Sequence, residues 1–246
     1  MTGLSLLLPT TAVALVGAAG IVGARQKAEV PLLPPGLHSR VLARADGPPV
    51  AYAIQVPEGY APDARVPLAL ALHYGGEPFT GAGRGVVSML VGPALAELGA
   101  VIVAPDALVS GWDAPENEQA VLALLDAVAV SYKTDPARVI VTGFSMGGIG
   151  TWHYAAKFSS RFSAALPVAG RPAEEVREWA LPVFAVGSSL DTVVPMAATS
   201  QRIELLRQRG VNARMVVLET PTHFQTADHT DGLRRAVPWL RSLWGE

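Results

Sequence analysis

The sequence predicts an α/β fold, a central and mainly parallel sheet with helices on both faces. Three observations predict it. Short, almost wholly apolar runs recur along the chain, and a strand that lacks polar alternation is one buried on both faces. Segments with helical spacing separate these runs, the order expected of a parallel sheet. The 246 residues are half hydrophobic, enough for one sizeable core in a single domain. No internal repeat, low-complexity tract or lid-sized insertion interrupts the alternation, so the site it supports is expected to be open or shallow.

Residues 2–24 carry no charge and consist mostly of Leu, Ala, Val and Gly, with Pro9 early on. Their number falls within the roughly 17–25 residues that cross a bilayer. Val16-Gly17-Ala18 and Val22-Gly23-Ala24 offer small residues before a signal-peptide cut. Arg25 and Lys27 follow the apolar run, whereas a typical export signal has its basic residues in front. Residues 1–24 are therefore expected to be a signal peptide or membrane anchor, with 4–23 the membrane-associating part. The bland alternative is a core helix. The corresponding expectation for location is an exported (periplasmic or secreted) or membrane-anchored protein. Pro31, Pro34 and Pro35 mark 25–36 as a linker, and 37–246 as the folded domain.

Within that domain, strands are expected at 51–56, 68–73, 100–105, 139–141, 164–168, 182–186 and 215–218. The run at 68–73 is so uniformly apolar that it belongs at the centre. Helices are expected at 117–132, where Val121, Leu124, Leu125 and Val128 share one face, and at 146–158, 195–209 and 231–243. Gly210 ends the third of these at a C-cap position.

The β-branched run Val139-Ile140-Val141 leads into Gly143-Phe144-Ser145-Met146-Gly147 and then into a potential helix. This is G-x-S-x-G in a strand–turn–helix setting, the context that gives the motif meaning. A nucleophilic serine must stand on a sharp turn, and the two glycines remove Cβ atoms that would collide there. Ser145 is the candidate nucleophile. The N–H of Met146, at a helix N-terminus, is a candidate donor to an oxyanion.

A serine nucleophile needs a base and a group that orients the base, and in this arrangement the chain order is Ser, acid, His. Asp191 lies just beyond the 182–186 strand, where a carboxylate faces the site of an open sheet. His223 directly follows the last strand and is placed to take the Ser145 proton while Asp191 holds its other nitrogen. His229 is the rival, expected as a surface residue at the start of the final helix. His153 reads as structural. A second oxyanion donor is expected from the turn Leu72-His73-Tyr74-Gly75-Gly76-Glu77: the N–H of Tyr74 or of Gly75, with His73 bracing the loop. Trp112 and Trp152 are candidate pocket walls or core fillers.

The net charge of −2 and the absence of any Lys/Arg cluster provide no footprint for nucleic acid. With no cysteine, disulfides, thiolate catalysis and Cys-ligated zinc are excluded.

The segment from Tyr132 through Ser145 to Trp152, continuing through Arg161 to Gly170, resembles the α/β-hydrolase superfamily. Within it the chain is most similar, from about residue 50 onward, to the group of carboxylesterases, feruloyl esterases, polyhydroxyalkanoate-depolymerase-like proteins and predicted peptidases. The resemblance implies a Ser145–Asp191–His223 triad, a small-molecule ester substrate, and no metal or organic cofactor. Two departures stand out. Where such relatives often carry His-Gly before the acid, this chain has Val186-Gly187. Where they often carry His-Gly in the oxyanion loop, it has His73-Tyr74, a change expected to narrow the acyl pocket. A serine peptidase or acyltransferase would use the same groups, and a non-catalytic hydrolase-fold protein is the alternative from another class.

Overall fold

A computed structural model describes residues 30–76, 78–173 and 179–246. The segment expected as a signal or anchor, 1–24, and the first part of the expected linker lie outside the described residues. From residue 30 onward the chain lies against the body. Val30 is buried, and the Tyr132 hydroxyl donates to Pro31 O while accepting from Leu33 N–H.

Eight strands form one sheet: β1 (Gly36–Leu42), β2 (Val50–Val56), β3 (Leu68–Leu72), β4 (Val101–Pro105), β5 (Val139–Phe144), β6 (Ala164–Val168), β7 (Val183–Ser188) and β8 (Ala213–Leu218). Their order is β1-β2-β4-β3-β5-β6-β7-β8. β1 pairs with β2, and β2 with β4, antiparallel; all the other pairings are parallel. All the strands but β2 therefore run the same way and end at the same edge, which is where the loops that carry the site emerge.

The central strands show why alternation is missing from their sequence. In β3, Leu68, Leu70 and Leu72 join one core while Ala69 and Ala71 join the other, following the two-residue period of a strand. Helix α3 (Pro115–Ser131) covers the first face with Val121, Leu124, Leu125 and Val128. Each such side chain contributes roughly 1.5–3 kcal/mol of burial. The second face is covered by residues 82–98 and by α7 (Ala236–Trp244). Helices α4 (Met146–Lys157) and α5 (Ala197–Gln208) complete the layers.

Two elements have no counterpart among the expected ones. β1 is an edge strand with three consecutive exposed residues, and so carries little hydrophobic signal. Residues 82–98 form a continuous helical run: α1 (Ala82–Val86), a π turn (Val87–Val91), α2 (Gly92–Leu95) and a final 3-10 turn. Gly83, Gly85, Gly92 and Pro93 make that stretch read as a loop. The reason for the glycines is close packing, since a Cβ on Gly83 would sit 2.3 Å from the Ala104 carbonyl oxygen. The expected single helix at 231–243 is two, α6 (Thr230–Arg234) and α7, broken at Arg235. Pro238 explains the break, because its ring cannot coexist with a continuing helical carbonyl at Arg234.

Pro167 lies in a central strand, where a missing N–H is normally not tolerated. The β6–β7 ladder pairs at Ala165 and Val168, leaving Pro167 in the gap, and the buried Thr142 hydroxyl donates to Leu166 O at 2.7 Å.

Candidate active site

Ser145 stands where β5 turns into α4, at φ 56° and ψ −115°. Such backbone costs on the order of 1–3 kcal/mol and persists only where the surroundings enforce it. Here the enforcement is close packing: a Cβ on Gly147 would lie 1.9 Å from the Leu72 carbonyl oxygen. The elbow is tied on its other side by Ser145 N–H donating to Val168 O at 3.0 Å.

The loops after β7 and β8 bring the two partners in. They are fastened to each other: Ser189 N–H donates to Leu218 O at 2.9 Å, and the Ser188 hydroxyl donates to Pro221 O at 2.5 Å. Asp191 is buried, with 1 % of its side chain exposed. Its Oδ1 accepts from the N–H groups of Val193 (3.0 Å) and Val194 (2.8 Å), while Oδ2 lies 2.7 Å from His223 Nδ1. His223 Nε2 lies 2.7 Å from Ser145 Oγ. With a carboxylate against Nδ1, that nitrogen donates and Nε2 is free to accept from the hydroxyl. Ser145, His223 and Asp191 thus form one continuous hydrogen-bonded chain, and of the two candidate bases it is His223 that reaches the serine.

His229 is not at the surface, where it was expected. It is fully buried, with its ring 5.1 Å from Phe144 and Nδ1 3.0 Å from Gln225 O. The 3-10 turn Thr226–His229 and α6 pack on the π turn that follows α1, which accounts for the burial of His229.

The turn after β3 is braced from beneath, with His73 at the centre. His73 Nε2 accepts from Ala107 N–H at 3.0 Å, and Nδ1 donates to Tyr74 O at 2.6 Å. Burial holds its pKa below the ordinary histidine value, so the neutral ring is the working form. Trp112 donates from Nε1 to His73 O at 3.0 Å. Asn117 fixes the neighbouring loop, accepting from Leu108 N–H and donating to Val109 O and Gly111 O. Trp112 and Trp152 are both buried among the core rather than walls of an open pocket. Asn117 is a supporting residue that the sequence does not mark as one; a helix-initiating Asn is the usual reading of such a position.

The direction of one peptide follows from these contacts. Tyr74 C=O is turned toward His73, and the described chain contains no cis peptide. In a planar trans unit the next N–H points the opposite way, so Gly75 N–H faces away from His73. Gly75 also borders the elbow, since a Cβ on it would be 3.5 Å from Met146 Cβ. The Tyr74 hydroxyl lies over Gly85, 3.0 Å from where a Cβ would stand there.

Leu190, Val193 and Phe224 flank Asp191 and His223 in sequence and are exposed, Phe224 to 84 %. His153 pairs with Glu118 at 2.6 Å, and Lys157 holds the same carboxylate, an ion cluster that ties α4 to α3. Among the described residues no group of three His, Asp or Glu is placed to hold a metal ion.

A model of the dienelactone hydrolase family matches residues 104–236, which include Ser145, Asp191 and His223. A Salmonella typhi protein provisionally named a carboxymethylenebutenolidase is 29% identical over 164 residues, 56% of this chain and 60% of that protein. An Aspergillus terreus protein provisionally named feruloyl esterase C is 29% identical over 123 residues, 48% of this chain and 46% of the other. The matched region thus spans between about half and three-fifths of the length of these relatives. Among solved structures, a lid-less α/β serine hydrolase from Xanthomonas campestris superposes with a TM-score of 0.62 at 23% identity, covering 87% of this chain and 98% of that one. A ferulic acid esterase gives 0.68 at 18% identity, covering 85% and 98%. At such identities these two structures speak to the fold, which is that of the α/β-hydrolases without a lid.

Proposed function

The chain belongs to the dienelactone hydrolase family, and from that premise we propose that it cleaves carboxylic esters with Ser145 as nucleophile, His223 as general base and acid, and Asp191 as the group that orients His223. The observation that carries this reading is the pair of 2.7 Å hydrogen bonds linking Ser145 Oγ to His223 and His223 to Asp191. Ser145 Oγ attacks the acyl carbon as its proton passes to His223 Nε2. Asp191 stabilises the imidazolium without taking its proton. The tetrahedral oxygen takes the Met146 N–H at the start of α4 and a second N–H, which we assign to Gly75 rather than Tyr74 because of the way that peptide faces. His223 then protonates the departing alcohol, and water, deprotonated by the same ring, releases the acyl group from Ser145.

The lid-less edge and the exposed side chains of Leu190, Val193 and Phe224, next to Asp191 and His223 in sequence, support an ester with an apolar acyl or alcohol part. The names of the Salmonella typhi and Aspergillus terreus relatives, a carboxymethylenebutenolidase and a feruloyl esterase, support carboxylic-ester cleavage. The uncharged stretch at 2–24 supports export or membrane anchoring of this activity, which cell fractionation with an antibody to the folded domain tests.

The test of function is hydrolysis of p-nitrophenyl esters of graded acyl length, feruloyl esters, a butenolide lactone and a peptide by the full chain and its Ser145→Ala variant. Ester or lactone turnover that disappears in Ser145→Ala supports the reading. Peptide turnover alone, or equal turnover by both proteins, overturns it.

A further inference from the structure

Of the three buried histidines, His223 is the proposed base and His73 braces the turn after β3, which leaves His229 with no role above. Its Nε2 is enclosed and has no hydrogen-bond partner among the described residues. A buried acceptor without a donor costs free energy that an apolar ring of the same shape would avoid. Packing alone therefore does not account for a histidine at this position.

Its contacts lead to the base. Nδ1 lies 3.0 Å from Gln225 O, so that nitrogen donates and Nε2 carries the free lone pair. Gln225 is the hub of the turn that bears His223. Its carbonyl also accepts from Asp228 N–H at 3.0 Å, its N–H donates to Thr222 O at 3.2 Å, and its Oε1 accepts from Thr222 N–H at 2.8 Å. On the other side, the His229 ring meets Phe144 at 5.1 Å and 70°, and Phe144 meets His223 at 5.3 Å and 34°. Phe144 is the residue before Ser145. The His223 turn and the nucleophile strand are thus both referenced to one buried ring.

We propose that His229 is a positioning residue for His223, which sets the base against Ser145 only as a neutral imidazole with its proton on Nδ1. A second proton, on Nε2, would meet no acceptor and bury a cation beside Phe144. Burial lowers its pKa below 6.5. The bond to Gln225 O and the nearby Asp191 and Asp228 oppose that shift, and His223 adds to it. Protonation therefore requires the turn to open, and opening the turn withdraws His223. The inference rests on the proposed roles of Ser145 and His223.

The experiment measures kcat and KM against pH for the full-length protein, His229→Asn, His229→Phe and Ser145→Ala. Asn keeps an N–H donor for Gln225 O but cannot be protonated, whereas Phe keeps the ring stack and loses the donor. His229→Phe should lose about tenfold or more in kcat with KM little changed, since small misplacements of a reacting group cost up to about 100-fold. His229→Asn should recover part of that loss. The acid limb of kcat should be steeper than one proton in the parent and fall to a one-proton slope in His229→Asn. Both variants within twofold of the parent, or a one-proton limb in the parent, would overturn the proposal. If neither variant folds, nitrogen-15 NMR of the parent decides. A neutral Nδ1–H ring at His229 across the active pH range supports the proposal, and a cationic or Nε2–H ring there overturns it. Retained turnover in Ser145→Ala would count against the functional reading instead, whatever His229 does.

Discussion

The elbow at Ser145 and the turn at His223 hold the two ends of one 2.7 Å hydrogen bond, yet they are built by different means. The elbow is held by backbone. Its geometry follows from glycines that stand within five residues of one another and from a carbonyl that leaves no room for a Cβ at Gly147. The His223 turn is held by side chains: Gln225, the neighbouring loop at Ser188, and a buried histidine six residues on. Backbone constraint resists change outright, whereas a side-chain support gives by degrees and responds to pH.

Several substitutions break or sharpen that contrast, the largest effect first. Asp191→Asn leaves the carbonyl able to accept from Val193 and Val194 but presents the wrong partner to His223 Nδ1. The expected loss is about 10⁴-fold in kcat with an unchanged circular dichroism spectrum, read by steady-state kinetics. Gly147→Ala attacks the elbow itself and should cost about 4 kcal/mol or more, the range reserved for steric disruption of a core, measured by urea denaturation. Asn117→Ala removes three good hydrogen bonds from the loop at 108–111. It should cost about 2–3 kcal/mol, since buried backbone groups are left unpaired.

A smaller effect comes from pH. Burial depresses the folded-state pKa of both His73 and His229 below 6.5. The unfolded chain then binds more protons than the folded one as pH falls below 6.5. The stability these groups permit is fully present above that pH and is lost as pH falls through their folded values. Thermal midpoints should therefore decline from pH 7 toward pH 5, less steeply in His229→Asn. Smallest of all, Phe224→Ser should change stability by less than about 0.5 kcal/mol, as for exposed sites in general, while raising KM several-fold for long-chain esters and not for acetate.

The same contrast explains what was legible in the sequence. The central strands and the meeting of Ser145 with Asp191 through His223 were readable because each position is set by local pattern: an apolar run, a Gly-flanked serine, an Asp just past a strand. His223 was readable from chain order. The helical run at 82–98 was not, because its glycines serve contacts with Ala104 and Gln55 that are distant in sequence. The burial of His229 was hidden for the same reason, since the π turn that covers it lies well over a hundred residues earlier. Nor does the sequence say which way the Tyr74–Gly75 peptide faces. That is decided by His73, Ala107 and Trp112 together.

The proposed chemistry requires that His223 activate Ser145. The most direct measurement is the rate of covalent labelling by a fluorophosphonate, with the modified residue located by peptide mass spectrometry, in the parent and in His223→Ala. One adduct per chain at Ser145, forming at least about 10³-fold more slowly without His223, is the predicted result. An adduct at another residue, or equal rates at Ser145 in the two proteins, would contradict it.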